Sequence, residues 1–284
     1  MSGWAAALPL VLVSFGARAD PWQLEAGIGR GTPGGLIQVR ENDVQGTALP
    51  LGPALGLGYV EHQQFDATDE IDATRAIILR ADFARIYGET ASTTPVFFNG
   101  IELAAGSPLA SSASWLNDWQ LTALYDQRLT PVGVDLRVDG TIGLTYRGLT
   151  YSLQGHPSDA SSPAELSGSR TSEDFITQEL PVPQLGLNIR YALAAAWTID
   201  ADFLGGHLPR LYSLRNEGGK VYVTQTDQEA RLGLEDRWGN GLRLDFGWYD
   251  SYFMQYEDSA EDGNYIRLTE HGLYLTLGYR FQSE

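Results

Sequence analysis

Two aspartates separated by one residue, Asp200 and Asp202, form the arrangement in this sequence that is closest to an acid–base pair. Alternate side chains of an extended strand point to the same face, so the two carboxylates would lie about 6–7 Å apart. A pair at that separation could hold an activated water. The neighbouring arginines favour a different interpretation, in which both carboxylates are neutralised by ion pairs.

A second group with catalytic residue types is His207, Ser213 and Glu217, which together offer a base, a nucleophile and an orienting acid. They fall in a predicted outer loop without a defined spacing, and no GxSxG element accompanies them. The acidic stretches at 66–72 and 256–265 carry oxygen ligands that suit calcium, but the latter lacks EF-hand spacing. No His/Cys spacing typical of zinc occurs. The sequence therefore predicts no catalytic residue, no metal and no cofactor.

Charged residues recur on one parity of many segments, alternating with apolar residues on the other. All but one of the 19 basic residues are arginine, Lys220 being the exception. The planar guanidinium pairs with two carboxylates and stays charged when desolvated. We expect Arg243 and Asp245 to lie opposite Arg231 and Glu235. The predicted inward charge network comprises Asp135, Arg137, Asp139, Arg190, Asp200, Asp202, Arg231, Glu235, Arg237, Arg243 and Asp245.

The elements that must position these charges are β-strands. Strict period-two alternation over many segments is typical of strands and not of helices. Short turns are predicted at 129–132, 192–194 and 237–241, and longer polar connections at 154–183, 207–220 and 256–264. Short turns at one rim and long loops at the other are typical of an outer-membrane barrel, with the short turns in the periplasm. The alternating apolar positions lie near 119–125, 134–146, 185–191, 197–203, 230–238, 242–248 and 271–281.

The last segment, HGLYLTLGYRF at 271–281, shows what the apolar face contacts. Leu273, Leu275, Leu277, Tyr279 and Phe281 share one parity, and Arg280 has the other. Aromatic residues collect at both membrane interfaces of such barrels, and the chain has them beside its short turns. We therefore expect the apolar parity to face lipid and Arg280 to point inward. Trp248, Tyr249, Tyr252 and Phe253 are expected to mark the opposite rim.

The fold class predicted is all-β, a closed antiparallel transmembrane β-barrel of about ten strands, with eight to twelve possible. Closure is required because an open edge would leave unpaired backbone groups in hydrocarbon. In the N-terminal half, strands are expected near 22–28 and 77–83, with a third at TPVFFNGIE (94–102). The stretch 31–73 is either a long loop or a further hairpin around 36–40 and 54–61, which would give twelve strands.

Composition limits the class of protein further. The chain has 284 residues, no cysteine and a formal net charge of −17. An acidic chain is a poor candidate for nucleic-acid binding, which depends on contacts of Lys and Arg to phosphate. Its apolar start, followed by Ala17-Arg18-Ala19, predicts a secretory signal peptide at 1–19 and a barrel domain at 20–284. We expect the mature chain to begin at Asp20.

The alternating strands and the terminal LYLTLGYRF segment resemble the outer-membrane β-barrel proteins of Gram-negative bacteria. The stretches GTALPLGPALGLG (46–58) and VFFNGIELAAGSPL (96–109) are similar to elements of an uncharacterised barrel family. The resemblance implies a location in the bacterial outer membrane, contact with lipid and lipopolysaccharide, and recognition by the barrel assembly machinery. The implied assembly signal is Leu273, Leu275, Leu277, Tyr279 and Phe281, here followed by three further residues.

The expected function is that of a non-enzymatic structural or accessory component of the envelope. Its interior would be closed by the salt-bridged network, since a barrel of this size has a lumen that side chains nearly fill. One alternative is a narrow passive channel for ions or small solutes. A second alternative is an outer-membrane hydrolase that acts on lipid or peptide.

Overall fold

The computed structural model describes residues 23–40, 55–88, 95–98, 101–104, 115–155, 170–178, 180–194, 197–214, 219–235, 241–258 and 265–281. These residues form thirteen β-strands. No helix in this part of the chain is long and apolar enough to cross a membrane. The strands are β1 (Gln23–Arg40), β2 (Leu55–Asp72), β3 (Arg75–Gly88), β4 (Val96–Phe98), β5 (Ile101–Leu103), β6 (Trp115–Arg128), β7 (Leu136–Gly155), β8 (Arg170–Thr177), β9 (Val182–Ala194), β10 (Trp197–Tyr212), β11 (Lys220–Glu235), β12 (Leu242–Asp258) and β13 (Tyr265–Phe281).

The main sheet closes on itself. Its order is β6-β3-β2-β1-β13-β12-β11-β10-β9-β7, and β7 pairs with β6 to complete the ring. Each of these neighbouring pairs is antiparallel. Closure pairs the backbone groups that an open edge would leave unpaired in lipid. The predicted closed antiparallel barrel of ten strands is confirmed.

β8 and β9 occupy one position beside β7. β8 pairs with residues 148–155 of β7, and β9 pairs with residues 136–145 of the same strand. Gln178, which follows β8, bonds twice to Arg147 of β7: the Gln178 amide donates to the Arg147 carbonyl at 3.0 Å, and the Arg147 amide donates to Gln178 Oε1 at 2.9 Å. These two bonds hold the end of β8 against β7, and the barrel has ten strand positions although its wall contains eleven strands. β8 forms part of the connection at 154–183 that we predicted to be a loop.

The N-terminal half differs from the sequence-based expectation. TPVFFNGIE does not supply a barrel strand, because β4 and β5 pair only with each other in a separate small sheet. The third strand is β2, in the stretch predicted as a loop or an extra hairpin. β1 continues to Arg40, and Leu36 lies opposite Gly56. The stretch 31–73 therefore contains the second half of β1 and nearly all of the additional strand β2. β2 takes the place of the expected strand at 94–102, so the barrel still has ten strands.

The turn between β2 and β3 is held by one carboxylate beyond the apolar band. Asp72 Oδ1 accepts from the Thr74 amide at 2.8 Å and from the Thr74 hydroxyl at 2.7 Å, while Arg75 Nε donates to Asp72 Oδ2 at 2.7 Å. The Arg75 guanidinium and these hydrogen bonds hold the pKa of Asp72 well below its usual range. This turn fixes the register of β2 against β3.

On β13, the apolar side chains lie on the outer face in one half of the strand and on the inner face in the other half. At the Phe281 end the outward side chains are apolar and exposed, as with Leu275 at 52%, and Thr276 points inward. Towards Tyr265 the inward side chains become apolar, and Leu268 is only 1% exposed. The parity of apolar residues thus inverts within one strand. In the half beyond the inversion, the barrel encloses an apolar core as a water-soluble barrel does.

The same inversion occurs on β2 and β3. Phe65 and Leu79 are exposed apolar residues on the outer face. Farther along the same face come Glu61 and Arg85, both exposed, and Val60 and Ile86 are buried inside beside them. A lipid-facing band therefore ends partway along these three strands, and the strands extend beyond it.

Candidate functional site: the lumen

An apolar layer fills the lumen beyond the lipid-facing band. It draws side chains from nine of the ten strand positions, each no more than 7% exposed, and they form one cluster. Phe253 of β12 and Leu268 of β13 are cross-strand partners within it. The expectation that Phe253 and Tyr249 mark the outer aromatic rim is wrong, because their parity on β12 points them into the barrel. The layer contains Val60, Ile86, Leu116, Leu149, Val182, Leu208, Val221, Val223, Phe253, Ile266 and Leu268.

Below this layer, the predicted inward charges meet around Asp200. This carboxylate is 0% exposed. Arg190 Nε donates to Asp200 Oδ1 at 2.5 Å, and Arg243 Nη2 donates to Asp200 Oδ2 at 2.7 Å. Arg243 Nε also donates to Asp245 Oδ1 at 2.7 Å. Arg243 thus joins β12 to β10 across the intervening strand and ties three strands of the wall together.

Further ion pairs continue around the lumen. Arg137 Nε donates to Asp139 Oδ2 at 2.6 Å on β7. Arg80 of β3 donates to both oxygens of Asp66 of β2, at 3.0 and 3.1 Å. A paired carboxylate at Asp200 is a poor general base, because its lone pairs are occupied and its charge is balanced.

Arg147 is the buried cation directly beneath the apolar layer. Its side chain is 2% exposed. Nε donates to Asp118 Oδ1 at 2.9 Å, and Nη2 donates to Asp118 Oδ2. Nη2 also lies 3.6 Å from Glu270 Oε2, and the guanidinium carbon lies 4.8 Å from the centre of the Phe253 ring. Arg147 therefore joins the charged lumen to the apolar core through a cation–π contact.

Among the cavities in the described part of the lumen, two lie between the short turns and the apolar layer. One, of about 120 Å³, is nearer the short turns and is lined by side chains that include Asp126, Arg137 and Arg280. The other, of about 180 Å³, lies nearer the apolar layer and is lined by side chains that include Asp118 and Glu270. Arg80, Asp202 and Leu204 line both cavities. Charged side chains thus line the lumen from its short-turn end to the apolar layer.

The structure brings seven members of the predicted network to the charged lumen: Arg137, Asp139, Arg190, Asp200, Asp202, Arg243 and Asp245. Asp135 lies instead in the turn before β7 and is exposed. The backbone register places Arg231 opposite Asp200 and Gly247, and Glu235 opposite Arg243. Arg237 lies outside the described residues.

Sequence reasoning missed several lumen residues, among them Arg80, Asp82, Asp118, Asp227 and Glu270. Each lies on the inward parity of its strand, so the alternation on β3, β6, β11 and β13 would have placed them inside. Arg280 does point inward and lies 3.4 Å from Glu25. The five proposed assembly-signal residues, Leu273, Leu275, Leu277, Tyr279 and Phe281, lie on the outer face of β13 and are exposed. Among them, Tyr279 and Phe281 make an edge-to-face contact with ring centres 4.8 Å apart.

The structure describes only two of the three suggested catalytic residues, His207 and Ser213. His207 lies on β10, not in a loop, and is exposed, with Nδ1 3.0 Å from Thr224 Oγ1. Ser213 follows the end of β10, and Glu217 and the predicted signal peptide lie outside the described residues. Inside the barrel, the Ser251 hydroxyl donates to Asp227 at 2.7 Å. The described residues contain no group of three or more His, Cys, Asp or Glu side chains suited to holding a metal ion.

Tyr274 forms part of the cavity wall because its strand neighbour is a glycine. Gly247 of β12 lies opposite Tyr274. A Cβ atom at Gly247 would lie 2.3 Å from Tyr274 Cζ and 2.4 Å from its hydroxyl oxygen. The tyrosine ring therefore covers the glycine and occupies the space that any larger residue would need.

We expect Gly247→Ala to lower the free energy of unfolding by about 1–3 kcal/mol, because the added methyl group would displace the Tyr274 ring from its position over the glycine. Urea titration of the folded barrel in lipid vesicles measures this change. Gly205→Ala is the matched control, since a Cβ there would meet Thr226 Cγ2 at an ordinary 3.7 Å. Equal stability of the two variants would show that the position of the Tyr274 ring does not require a glycine at 247.

The closed ring of ten antiparallel strands, its apolar outer band and its charged lumen define a β-barrel of the outer-membrane type. Solved structures similar to this chain are outer-membrane β-barrel proteins of Gram-negative bacteria. The outer-membrane protease OmpT of Escherichia coli is 12% identical with a TM-score of 0.48, covering 91% of this chain and 97% of OmpT.

Two further solved structures are also similar to this chain. The Pseudomonas putida toluene transporter TodX is 11% identical with a TM-score of 0.32, covering 94% of this chain and 92% of TodX. The attachment invasion locus protein Ail of Yersinia pestis is 12% identical with a TM-score of 0.26, covering 90% of this chain and 98% of Ail. No protein-family model and no curated protein matches the chain. These similarities concern the fold alone.

Proposed function

We propose that the protein is an integral component of the bacterial outer membrane whose barrel does not conduct, and that it has a structural or accessory role in the envelope. One observation carries this proposal: the apolar layer across the lumen, with its side chains 0–7% exposed. Hydrated ions avoid dry apolar constrictions, which close channels by dewetting. The ion pairs below the layer support the same role, because they tie the wall strands to one another.

The outer surface supports a lipid-embedded position. Exposed leucines face outward on β12 and β13, among them Leu244 and Leu277. Beyond them, Arg30 and Arg85 are exposed on the outer face. Arginine forms two parallel hydrogen bonds with phosphate groups, so these two residues suit the headgroup region of a lipopolysaccharide leaflet. The outward face of β13 is the surface we propose for the barrel assembly machinery.

We expect the purified protein to give no unitary current steps in planar lipid bilayers. A variant that combines Phe253→Ala with Leu268→Ala should admit ions, because it removes two facing side chains from the apolar layer. Single-channel recording measures both proteins, and different gel migration before and after boiling verifies that each barrel is folded.

The control variant combines Leu244→Ala with Leu277→Ala, which are also cross-strand partners on β12 and β13 but face outward. It should stay silent in the bilayer. Unitary steps from the unaltered protein would contradict the proposal and favour the narrow channel. A silent, folded Phe253/Leu268 variant would show that the apolar layer is not the barrier.

A further inference from the structure

The turn between β6 and β7 is apolar, although it lies at the short-turn rim of the barrel. Its sequence from 129 to 134 is Leu-Thr-Pro-Val-Gly-Val. Leu129, Val132 and Val134 are 61%, 58% and 48% exposed. Gly133 between the two valines has a φ of 91°, and a Cβ atom there would have no neighbour within 4 Å. The tip of this hairpin therefore presents large apolar side chains to its surroundings.

The neighbouring β9–β10 turn extends this apolar surface. The Ala192 amide donates to the Asp135 carbonyl at 3.1 Å, which joins the two turns. Leu136 lies opposite Tyr191, and both side chains are exposed. Leu193 comes two residues later and is also exposed. We call this surface the apolar rim patch, and it consists of Leu129, Val132, Val134, Leu136, Tyr191 and Leu193.

The β2–β3 turn at the same rim is polar. Asp72 and Arg75 form an ion pair there, and both side chains are exposed. The Thr74 hydroxyl donates to the Asp72 carboxylate at 2.7 Å. Such a turn is compatible with water, whereas a contiguous set of exposed apolar side chains is typical of a surface that contacts a membrane or another molecule. The two sides of the rim therefore suit different surroundings.

The apolar rim patch is continuous with the lipid-facing band. Leu129 lies against the outer wall of the barrel, where a Cβ atom at Gly140 would be 3.6 Å from Leu129 Cδ1. Ile142 and Leu144 follow on the same outer face of β7, and both are exposed apolar residues. Lipid that contacts the band can therefore cover the turn as part of the same surface.

The backbone of the hairpin is suited to a surrounding with little water. The Leu129 amide donates to the Val138 carbonyl at 2.7 Å, and the Val138 amide donates to the Thr130 hydroxyl oxygen at 3.1 Å. Pro131 has no amide hydrogen that would need a partner. Backbone groups in lipid must find their partners within the protein, and here a side-chain hydroxyl supplies one of them.

We propose that the apolar rim patch inserts into the lipid of the periplasmic leaflet and anchors this side of the rim there. The inference rests on the membrane position of the barrel proposed above, in which the short turns face the periplasm. Its occupant is phospholipid, because apolar side chains bury themselves at the boundary between headgroups and acyl chains. Tyr191 suits the same depth, since tyrosine rings collect at membrane interfaces.

Single-cysteine labelling tests this contact, because the chain has no cysteine of its own. Val132→Cys is labelled with the environment-sensitive fluorophore NBD in the folded barrel, in phosphatidylcholine vesicles with and without doxyl-labelled phosphatidylcholine. We expect blue-shifted emission that the doxyl lipid quenches and that iodide, present on both sides of the membrane, does not. Ala73→Cys in the β2–β3 turn is exposed and is the matched control, for which we expect the reverse. Leu275→Cys reports on the lipid-facing band.

Each other pattern of quenching contradicts the inference in a distinguishable way. Doxyl quenching of the label at 275 but not at 132 would overturn the inference and leave the membrane position of the barrel intact. If the doxyl lipid quenched neither label, the membrane position would be wrong as well. Equal doxyl quenching at 132 and 73 would also overturn it, because lipid would then cover the whole rim. Gel migration before and after boiling verifies folding, and Val134→Cys replaces Val132→Cys if that variant does not fold.

Discussion

Replacing Arg147 with methionine should lower the free energy of unfolding by about 3–5 kcal/mol, the range for removing one partner of a buried ion pair. The guanidinium is 2% exposed, and the Asp118 carboxylate to which it donates is also buried. Methionine fills similar volume but leaves Asp118 without its counter-charge. It also removes the cation above the Phe253 ring and the positive neighbour of Glu270.

Urea unfolding in lipid vesicles measures the effect, with Arg30→Met as the matched control. Arg30 pairs with Glu61 at 3.2 Å on the outer face, where both side chains are exposed. An exposed pair contributes about 0–1 kcal/mol, so the control should be nearly neutral. The double variant Arg147→Met with Asp118→Leu should recover most of the lost stability, because neither charge then remains alone. A double variant no more stable than Arg147→Met would contradict this account.

An arginine at Leu275 should lower the free energy of unfolding by about 2–4 kcal/mol if the residue lies near the bilayer midplane. Leu275 is on the outer face of β13, inside the apolar run from Leu273 to Phe281. The matched control is Thr269→Arg, on the same strand and the same face but beyond the point where the parity inverts. Water should reach position 269, so this variant should be close to neutral.

Folding titrations of both variants in vesicles locate the edge of the lipid-facing band. If Thr269→Arg lowered the free energy of unfolding as much as Leu275→Arg, lipid would contact the whole length of the strand. In that case the apolar layer inside would lie at membrane depth.

The alternation of apolar residues sufficed to predict the barrel, the strand number and the inward face of most charged residues. It failed on β2 because Glu61 and Gln63 occupy outward positions, so the strand lacks the continuous apolar face of a membrane strand. The alternation also failed on VFF at 96–98, because a short apolar run does not indicate which strand it pairs with. In both cases the local pattern was ambiguous, and pairing with distant strands decided the structure.

The candidate site was less predictable, because parity gives the face of a residue and not its partner. Asp200 and Arg243 are 43 residues apart and join strands separated by a third. The apolar layer was hidden because Ile266 and Leu268 have the opposite parity to Leu273 and Leu275. A search for a single lipid-facing parity includes Leu273 and Leu275 and leaves out Ile266 and Leu268. Phe253 was assigned to the outer rim for the same reason.

The inversion of the two faces also fixes the vertical position of the barrel in its bilayer. Sinking by one residue pair would bring Arg85 and Glu61 towards hydrocarbon, and rising would bring leucines such as Leu275 into water. Both displacements would lower the stability of the embedded barrel on several strands at once. The hydrophobic thickness of the protein is therefore fixed. In membranes of unequal thickness, the surrounding lipid must stretch or compress to match it, and the barrel will gather where that deformation is smallest.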